Sequence, residues 1–284
     1  MEIYGAGIKD TTKKLYLHNL KKLNGDKEIK DLKFLKKIDN ILEIINQKPK
    51  NTGRSYLIAI ISALKGKDDK LYAKYYPYLE EINKELKTNT SKSEKQDENW
   101  LSQDVILQKQ KQYMVYLPKK SKKELTEAEY NCLLELVILS LYTLTPPRRS
   151  LDYLNMVVSA DTSNHNLNYY NNGIFIFNNF KTQKTYKTQI EAVPKELNDI
   201  IKVYLKYKPK CEYLLCFYDG SRFNHSNQIT RILNKIFQNK ISVNMLRNIY
   251  LTSTFAEPIQ ELNKATEAMG TSTNTAINQY IKQD

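Results

Sequence analysis

At 284 residues the chain is long enough for two domains. Its 44 Lys+Arg outnumber 31 Asp+Glu for a formal charge of +13, a surplus that fits either a polyanionic partner such as nucleic acid or the lysine-rich composition of an AT-rich genome. No apolar run approaches the ~18 residues of a membrane span, MEIYGAGIKD lacks the marks of a signal peptide, and three cysteines (Cys132, Cys211, Cys216) without C-x-x-C spacing argue for reduced, mostly buried thiols in an intracellular protein rather than a disulfide frame or zinc site.

Residues 11–23 carry the pattern of a short amphipathic helix closed near Gly25. Residues 31–46 repeat it, with Leu35, Ile38, Leu42 and Ile45 on one face and Lys48-Pro49 as the stop. Thr52 is the expected N-cap of a third helix, whose buried stripe is Leu57, Ile60, Ile61 and Leu64. A tyrosine-rich segment from about Asp69 to Leu86 completes a small helical domain over residues 1–87. Lys50, Arg54 and Ser55 stand at the start of the third helix, where they either reach phosphates and groove edges or form an ordinary basic helix start.

Residues 88–99 lack apolar side chains and carry mixed charge, which predicts an exposed linker. Trp100, with Leu101, Val105 and Ile106, opens a second domain over 100–284. The lysines of PKKSKKE (118–124) face phosphate or solvent. Thr126 and Glu129 form a capping box with Leu125 and Tyr130 as its hydrophobic staple, and the Leu/Val/Ile-rich helix they open, through about Leu144, is the expected central buried helix. Thr145-Pro146-Pro147 stops it.

Arg148-Arg149-Ser150-Leu151-Asp152 follows this stiff turn. An acid three residues beyond Arg149 is placed to orient it, and a guanidinium held that way binds phosphate bidentately; the alternative is a surface Arg–Asp pair of little energetic weight. Met156–Ala160, Ile174–Phe177 and Thr188–Val193 predict a small antiparallel sheet with its turn around Lys181 to Lys184. Those lysines enter a groove or decorate a solvated turn. Helices are expected from Pro194 to about Tyr207 and from Ser226 to Phe237, with a short extended piece at Tyr213–Phe217 between them. Asn244-Met245-Leu246-Arg247 opens a helix towards Phe255, and Pro258 restarts the chain into another that ends at Gly270. In the closing stretch a Ser/Thr-rich turn precedes Tyr280, which is either an amphipathic anchor for the last helix or a nucleophile served by upstream cations. His18, His165 and His225 are scattered and suggest no metal cluster.

The order of an Arg in a turn before a helix, a hairpin Lys, an Arg at a helix start, Gly-x-Ser and a late Tyr resembles the tyrosine recombinase (phage-integrase-like) family over nearly the whole chain. The family's T-G-x-R-x-x-E box matches T-P-P-R-R-S-L-D with Arg149 as the arginine and Asp152 as the acid, Arg148 being the second choice. Its K-T-G-K-like turn matches Lys181-Thr182-Gln183-Lys184, with Lys184 the alternate. Its H-x-x-R box is Asn244-Met245-Leu246-Arg247 and its L-G-H box is Met269-Gly270-Thr271, with Asn244 and Thr271 in place of the histidines. Thr271 precedes Tyr280 by nine residues, the family's usual interval. The P-P-R-R and M-G-x-S variants look most like integrase-like proteins of large eukaryotic DNA viruses and virophages.

The resemblance implies a mainly α fold with a small antiparallel β-sheet: a helical core-binding domain plus an α+β catalytic domain that together clamp DNA. It implies a site-specific recombinase or integrase that cleaves and rejoins double-stranded DNA through a 3′-phosphotyrosyl intermediate, without metal, ATP or other cofactor. Tyr280 is then the nucleophile and Lys181 the general acid, while Arg149 and Arg247 stabilise the phosphorane-like charge and Asn244 and Thr271 stand beside them. Arg148, Lys184, Lys50, Arg54 and Ser55 become DNA contacts. The partners implied are DNA and further copies of the chain, as a tetramer built on DNA, with no membrane; the place of action is inside the cell wherever that DNA lies, host cytoplasm, nucleus or viral factory. Type IB topoisomerase-like relaxation and a catalytically weakened DNA-binding protein of the same fold are the alternatives.

Overall fold

The computed structural model describes residues 3–5, 7–88, 91–119 and 121–282, so Asn89 and Thr90 of the expected linker and Lys120 of the lysine-rich turn lie outside the described residues. The chain forms two compact units, Met1–Lys92 and Ser93–Asp284. It is mainly helical with one small sheet.

The first unit holds α1 (Asp10–Leu23), α2 (Ile38–Asn46), α3 (Lys50–Leu64) and α4 (Asp69–Thr88). Helix α3 buries Leu57, Ile60, Ile61 and Leu64 as the periodicity predicts, and adds Ala59 and Ala63. Gly53 lets α2 approach: a Cβ there would meet Ile45 Cγ2 at 3.1 Å. Two expectations need correction. The helix at 31–46 is two pieces, a 3-10 turn at Lys33–Lys36 and then α2, and Leu35 is buried in that turn, where its carbonyl accepts a 2.7 Å bond from Tyr75 Oη. Helix α3 starts at Lys50, with Pro49 rather than Thr52 at its N-cap, because proline's fixed φ suits the entry to a helix.

The second unit opens with a capping box that the composition of the linker concealed: Ser93 and Gln96 close a one-turn helix, α5 (Glu94–Glu98). It continues through α6 (Gln103–Tyr113), α7 (Glu127–Thr143), α8 (Ser150–Leu154), β1 (Met156–Val158), β2 (Asn168–Asn171), β3 (Ile174–Phe177), α9 (Gln183–Tyr186), β4 (Gln189–Ala192), α10 (Lys195–Tyr207), α11 (Ser226–Phe237), α12 (Val243–Ala268) and α13 (Thr273–Thr275). The box at Thr126 and Glu129 forms as predicted. Helix α7 is apolar around its circumference, and a helix of that kind is stable only inside a core. Every residue from Leu133 to Tyr142 is buried, and the sheet, α10 and α11 contribute to the same core. Tyr130 Oη meets Tyr204 Oη at 2.9 Å and donates to the Cys216 carbonyl at 3.0 Å, tying α7 to α10 and to the strand-like 213–217 segment. All three cysteines are free thiols; Cys216 is buried and the other two are half-buried.

The sheet has the order β1-β2-β3-β4 and is mixed. Strands β3 and β4 are antiparallel neighbours, as expected; β2 is a strand that the sequence reading did not include, antiparallel to β3, and Asn172-Gly173, both at positive φ, make the two-residue turn between them. Strand β1 pairs parallel to β2, unlike the all-antiparallel expectation, because the 159–167 connection carries the chain back before β2 begins. The C-terminal helix also differs from its reading. Helix α12 runs without interruption through Pro258. Good helix formers flank that proline on both sides (Ala256, Glu257, Gln260, Glu261, Leu262), and they carry the helix past the missing hydrogen bond. No helix among the described residues is long and apolar enough to cross a membrane.

Leu136 is fully buried in α7. Replacing it with Ala is expected to destabilise the second unit by about 2–5 kcal/mol through lost burial and a residual cavity. Trp100, the only tryptophan, packs against this unit's core, so its fluorescence in a urea titration reads the loss.

Candidate active site

The turn after α7 lays Arg148 across one edge of the sheet, with Arg149 next to it in the chain. Thr145 Oγ1 bonds back to the Leu141 carbonyl at 2.9 Å, and Arg149 is the N-cap of α8 with extended dihedrals. Arg148, with a side chain only 16% exposed, folds over the sheet. Its Nε donates to Asp152 Oδ2 at 3.3 Å, its Nη1 to Glu191 Oε1 at 3.1 Å and its Nη2 to Gln189 Oε1 at 2.9 Å. The guanidinium carbon stands 3.7 Å from the centre of the Phe177 ring and 5.2 Å from that of Phe180. Planar stacking with forked hydrogen bonds is a role that lysine cannot fill.

The acid therefore pairs with Arg148, four residues before it, and not with Arg149 as the spacing suggests. Arg149, the N-cap of α8, has extended dihedrals, and an extended step turns the side chains of adjacent residues to opposite sides. Asp152 is buried; burial pushes its carboxyl above the ordinary range, and the Arg148 charge and hydrogen bond pull the other way.

Arg247 comes from the start of the second turn of α12, a helix opened by Ser242 accepting the Met245 N–H at 3.2 Å. Its own pKa is lowered, first by burial and next by the positive charge of Arg149; Asp152 opposes the shift and Arg148 adds to it. The charges of Arg149, Asp152 and Arg148 are thus felt at Arg247, and Arg148 is the arginine paired with the carboxylate. Against the carboxylates of Asp152 and Glu191 the three guanidiniums leave a positive surplus, which an entering anion relieves. Asn244 lies one turn before Arg247 on the same face and is exposed.

Lys181 is exposed on the segment between β3 and β4, in the turn that leads into α9, and Lys184 is exposed within α9. The ring of Phe180, the residue before Lys181, lies beside Arg148, so this segment adjoins the arginines.

Tyr280 is elsewhere. Gly270, at φ 67°, ends the last turn after α12, and Thr271 N–H bonds back to the Thr266 carbonyl at 3.0 Å. Thr273 Oγ1 donates to Asn263 Oδ1 at 2.6 Å and meets Thr266 Oγ1 at 3.1 Å, clasping the terminal segment to the far end of α12. Asn263 lies sixteen residues beyond Arg247, which is about 24 Å along the axis of a helix. Tyr280, in a wide helical turn at Ala276–Tyr280, is 56% exposed, and it makes no hydrogen bond to the arginines among the described residues. The structure thus pairs Arg148 with Asp152, puts Arg149 and Arg247 within electrostatic reach of them, sets Phe180 of the Lys181 segment beside Arg148, and leaves Asn244 on the helix face of Arg247. It does not bring Thr271 or Tyr280 to that cluster.

In the first unit Lys50 pairs with Glu85, Arg54 Nε donates to Asn83 Oδ1 at 2.6 Å, and Ser55 Oγ accepts from Asn19 Nδ2 at 2.9 Å. Ser55 is a structural tie between α1 and α3; Arg54 is exposed, and Lys50 is exposed beside its partner. His225 sits at the N-cap of α11, where its N–H bonds to Gln228 Oε1 at 2.9 Å. Gln189, Glu191 and Phe177 had no motif to mark them. The period of two in β4, which puts Gln189 and Glu191 on one face, is the signal that could have paired them with an arginine.

No family model and no curated protein matches the chain. Among solved structures it is similar to a crystal structure of XerA recombinase, at 15% identity over 98% of this chain and 89% of that chain, with a TM-score of 0.37.

Arg148→Met leaves the Asp152 carboxylate buried without its cation, and the expected cost at pH 7 is about 3–5 kcal/mol in a Trp100-monitored urea titration. Asp152 already titrates above its ordinary value of 3.8, and removing Arg148 raises it further. A raised carboxyl pKa destabilises the fold as pH rises through it, so the deficit of the variant is largest at neutral pH and shrinks as pH falls towards 3.8.

Proposed function

We propose that this protein is a DNA strand-exchange enzyme of the tyrosine recombinase kind, a site-specific recombinase or integrase that works through a 3′-phosphotyrosyl intermediate. The observation that carries the proposal is the pairing of Arg148 with the buried Asp152, where the charges of Arg149 and Arg247 are also felt, beside a segment that presents lysine. The excess positive charge suits a scissile phosphodiester. Arg149 and Arg247 stabilise the non-bridging oxygens as charge builds on them. Arg148 is the fixed member, held by Asp152, Glu191 and Gln189, and it sets the floor of the site. Lys181 donates the proton that the leaving 5′-oxygen needs, Asn244 offers a hydrogen bond to a phosphate oxygen, and Tyr280 is the nucleophile. The +13 chain binds duplex DNA, with the first unit as core-binding domain and Lys50, Arg54 and Lys184 as phosphate contacts. Copies assemble on DNA as a tetramer, inside cells and on viral or virophage genomes.

Cleavage requires the segment after α12 to carry Tyr280 and Thr271 from the far end of that helix to an arginine cluster once DNA is bound. The same observation favours a second reading, a DNA-binding protein that keeps the fold with little cleavage. A nicked suicide duplex carrying the cognate site separates the two. A covalent adduct with wild type that is lost in Tyr280→Phe supports the enzyme; tight binding without an adduct leaves the second reading. Asn244→His is expected to preserve or raise adduct formation, and its abolition removes Asn244 from the site. Binding itself should weaken by about 10³-fold or more between ~50 and ~200 mM salt if six or more phosphates are contacted.

A further inference from the structure

The side chain of Asn168, at the start of β2, is 1% exposed and uses its full hydrogen-bonding capacity. Its Nδ2 donates to the Asp152 carbonyl at 2.9 Å and to the Asn179 carbonyl at 3.0 Å. Its Oδ1 accepts the N–H groups of Asn178 at 2.9 Å and Asn179 at 2.8 Å. One carboxamide thus joins the residue that clamps Arg148 to the residues that launch the Lys181 segment.

The segment is closed on itself as well. Asn178, also buried, accepts from Thr188 Oγ1 at 3.0 Å, so the two ends of the 178–188 stretch are bridged side chain to side chain. Beyond Thr188, Gln189 and Glu191 are held by Arg148. Between these anchors Lys187 adopts φ 58°, ψ −159°, a conformation that costs a residue with a Cβ on the order of 1–3 kcal/mol and persists only where its surroundings enforce it.

We propose that Asn168 is a positioning residue that sets Lys181 against the arginine turn. This rests on the reading of Lys181 as general acid. In that step the Tyr280 oxygen forms the new bond to phosphorus and its phenolic proton leaves to water. The bond from phosphorus to the 5′-oxygen breaks with its electron pair on oxygen, and the Lys181 ammonium supplies the proton that makes the 5′-hydroxyl. Asn168 touches neither DNA nor a reacting atom. Without it, the start of the lysine segment loses its register with Asp152, and proton donation fails while phosphate binding remains.

The test uses full-length wild type, Asn168→Ala, Asn168→Asp and Lys181→Ala on two nicked suicide duplexes, one ordinary and one with sulfur in place of the bridging 5′-oxygen. A thiolate leaves without needing a proton. The Asn168 variants are expected to form adduct about 10²-fold more slowly on the ordinary duplex, the size of effect that ~1 Å of misplacement produces, and to approach the wild-type rate on the sulfur duplex, as Lys181→Ala should. Equal losses on both duplexes, or no loss on either, overturn the proposal. Asn168→Asp keeps both accepted N–H bonds, and activity on the sulfur duplex certifies that a variant is folded. If wild type forms no adduct on either duplex, the reading of the function fails separately. Positioning is then decided by amide hydrogen exchange: faster exchange in Asn168→Ala confined to the 178–188 stretch supports it, and unchanged exchange there overturns it.

Discussion

The ion pair between Arg148 and Asp152 organises the second unit around the candidate site. Asp152 is buried, and a buried carboxylate is tolerated only with a cation and hydrogen bonds to complete it. Arg148 supplies both and spends its remaining donors on Glu191 and Gln189 of β4, while its plane lies on Phe177 of β3. A single side chain therefore fixes the α7–α8 turn to two strands of the sheet. Asn168 repeats the connection from the other side, through the Asp152 carbonyl. The site's rigidity arises from these polar ties at the sheet edge, and the apolar core centred on α7 supplies the platform beneath them.

Much of this was legible because local chemistry and global fold agree. The box at Thr126 and Glu129 and the unbroken apolar stretch after it each force one local structure, and each appears as read. The order of the arginines and lysine along the chain was legible too. Their partners were not. Asp152 stands three residues from one arginine and four from another, and only the extended backbone of Arg149 decides between them. Gln189 and Glu191 become arginine ligands only through the β3–β4 register, which spacing alone does not give. The parallel pairing of β1 likewise depends on how the 159–167 connection turns, and that stretch carries no apolar period to fix it.

Helix α12 shows a different limit. Pro258 predicts a break, and the helix passes through it. Proline within a helix removes one hydrogen bond and costs about 3 kcal/mol, which must be offset by neighbouring helix propensity or by packing. Packing is scarce here, since from Leu251 to Ala265 no residue is buried and Leu251, Phe255 and Ile259 form an exposed apolar stripe four residues apart. A helix held by propensity alone is marginal in water.

The inner and outer halves of α12 are therefore under different constraints. The first turns, through Ile249, are buried in the core and hold Arg247 in place. The outer half is clasped to the terminal segment by the Asn263, Thr266 and Thr273 side chains and is otherwise exposed. Breaking the helix at Pro258 forfeits little tertiary burial, so the cost of bending there is mainly the lost helical hydrogen bonds. The proline that failed to end the helix is the place where it can bend, and it lies between the buried turns that carry Arg247 and the terminal segment that carries Tyr280.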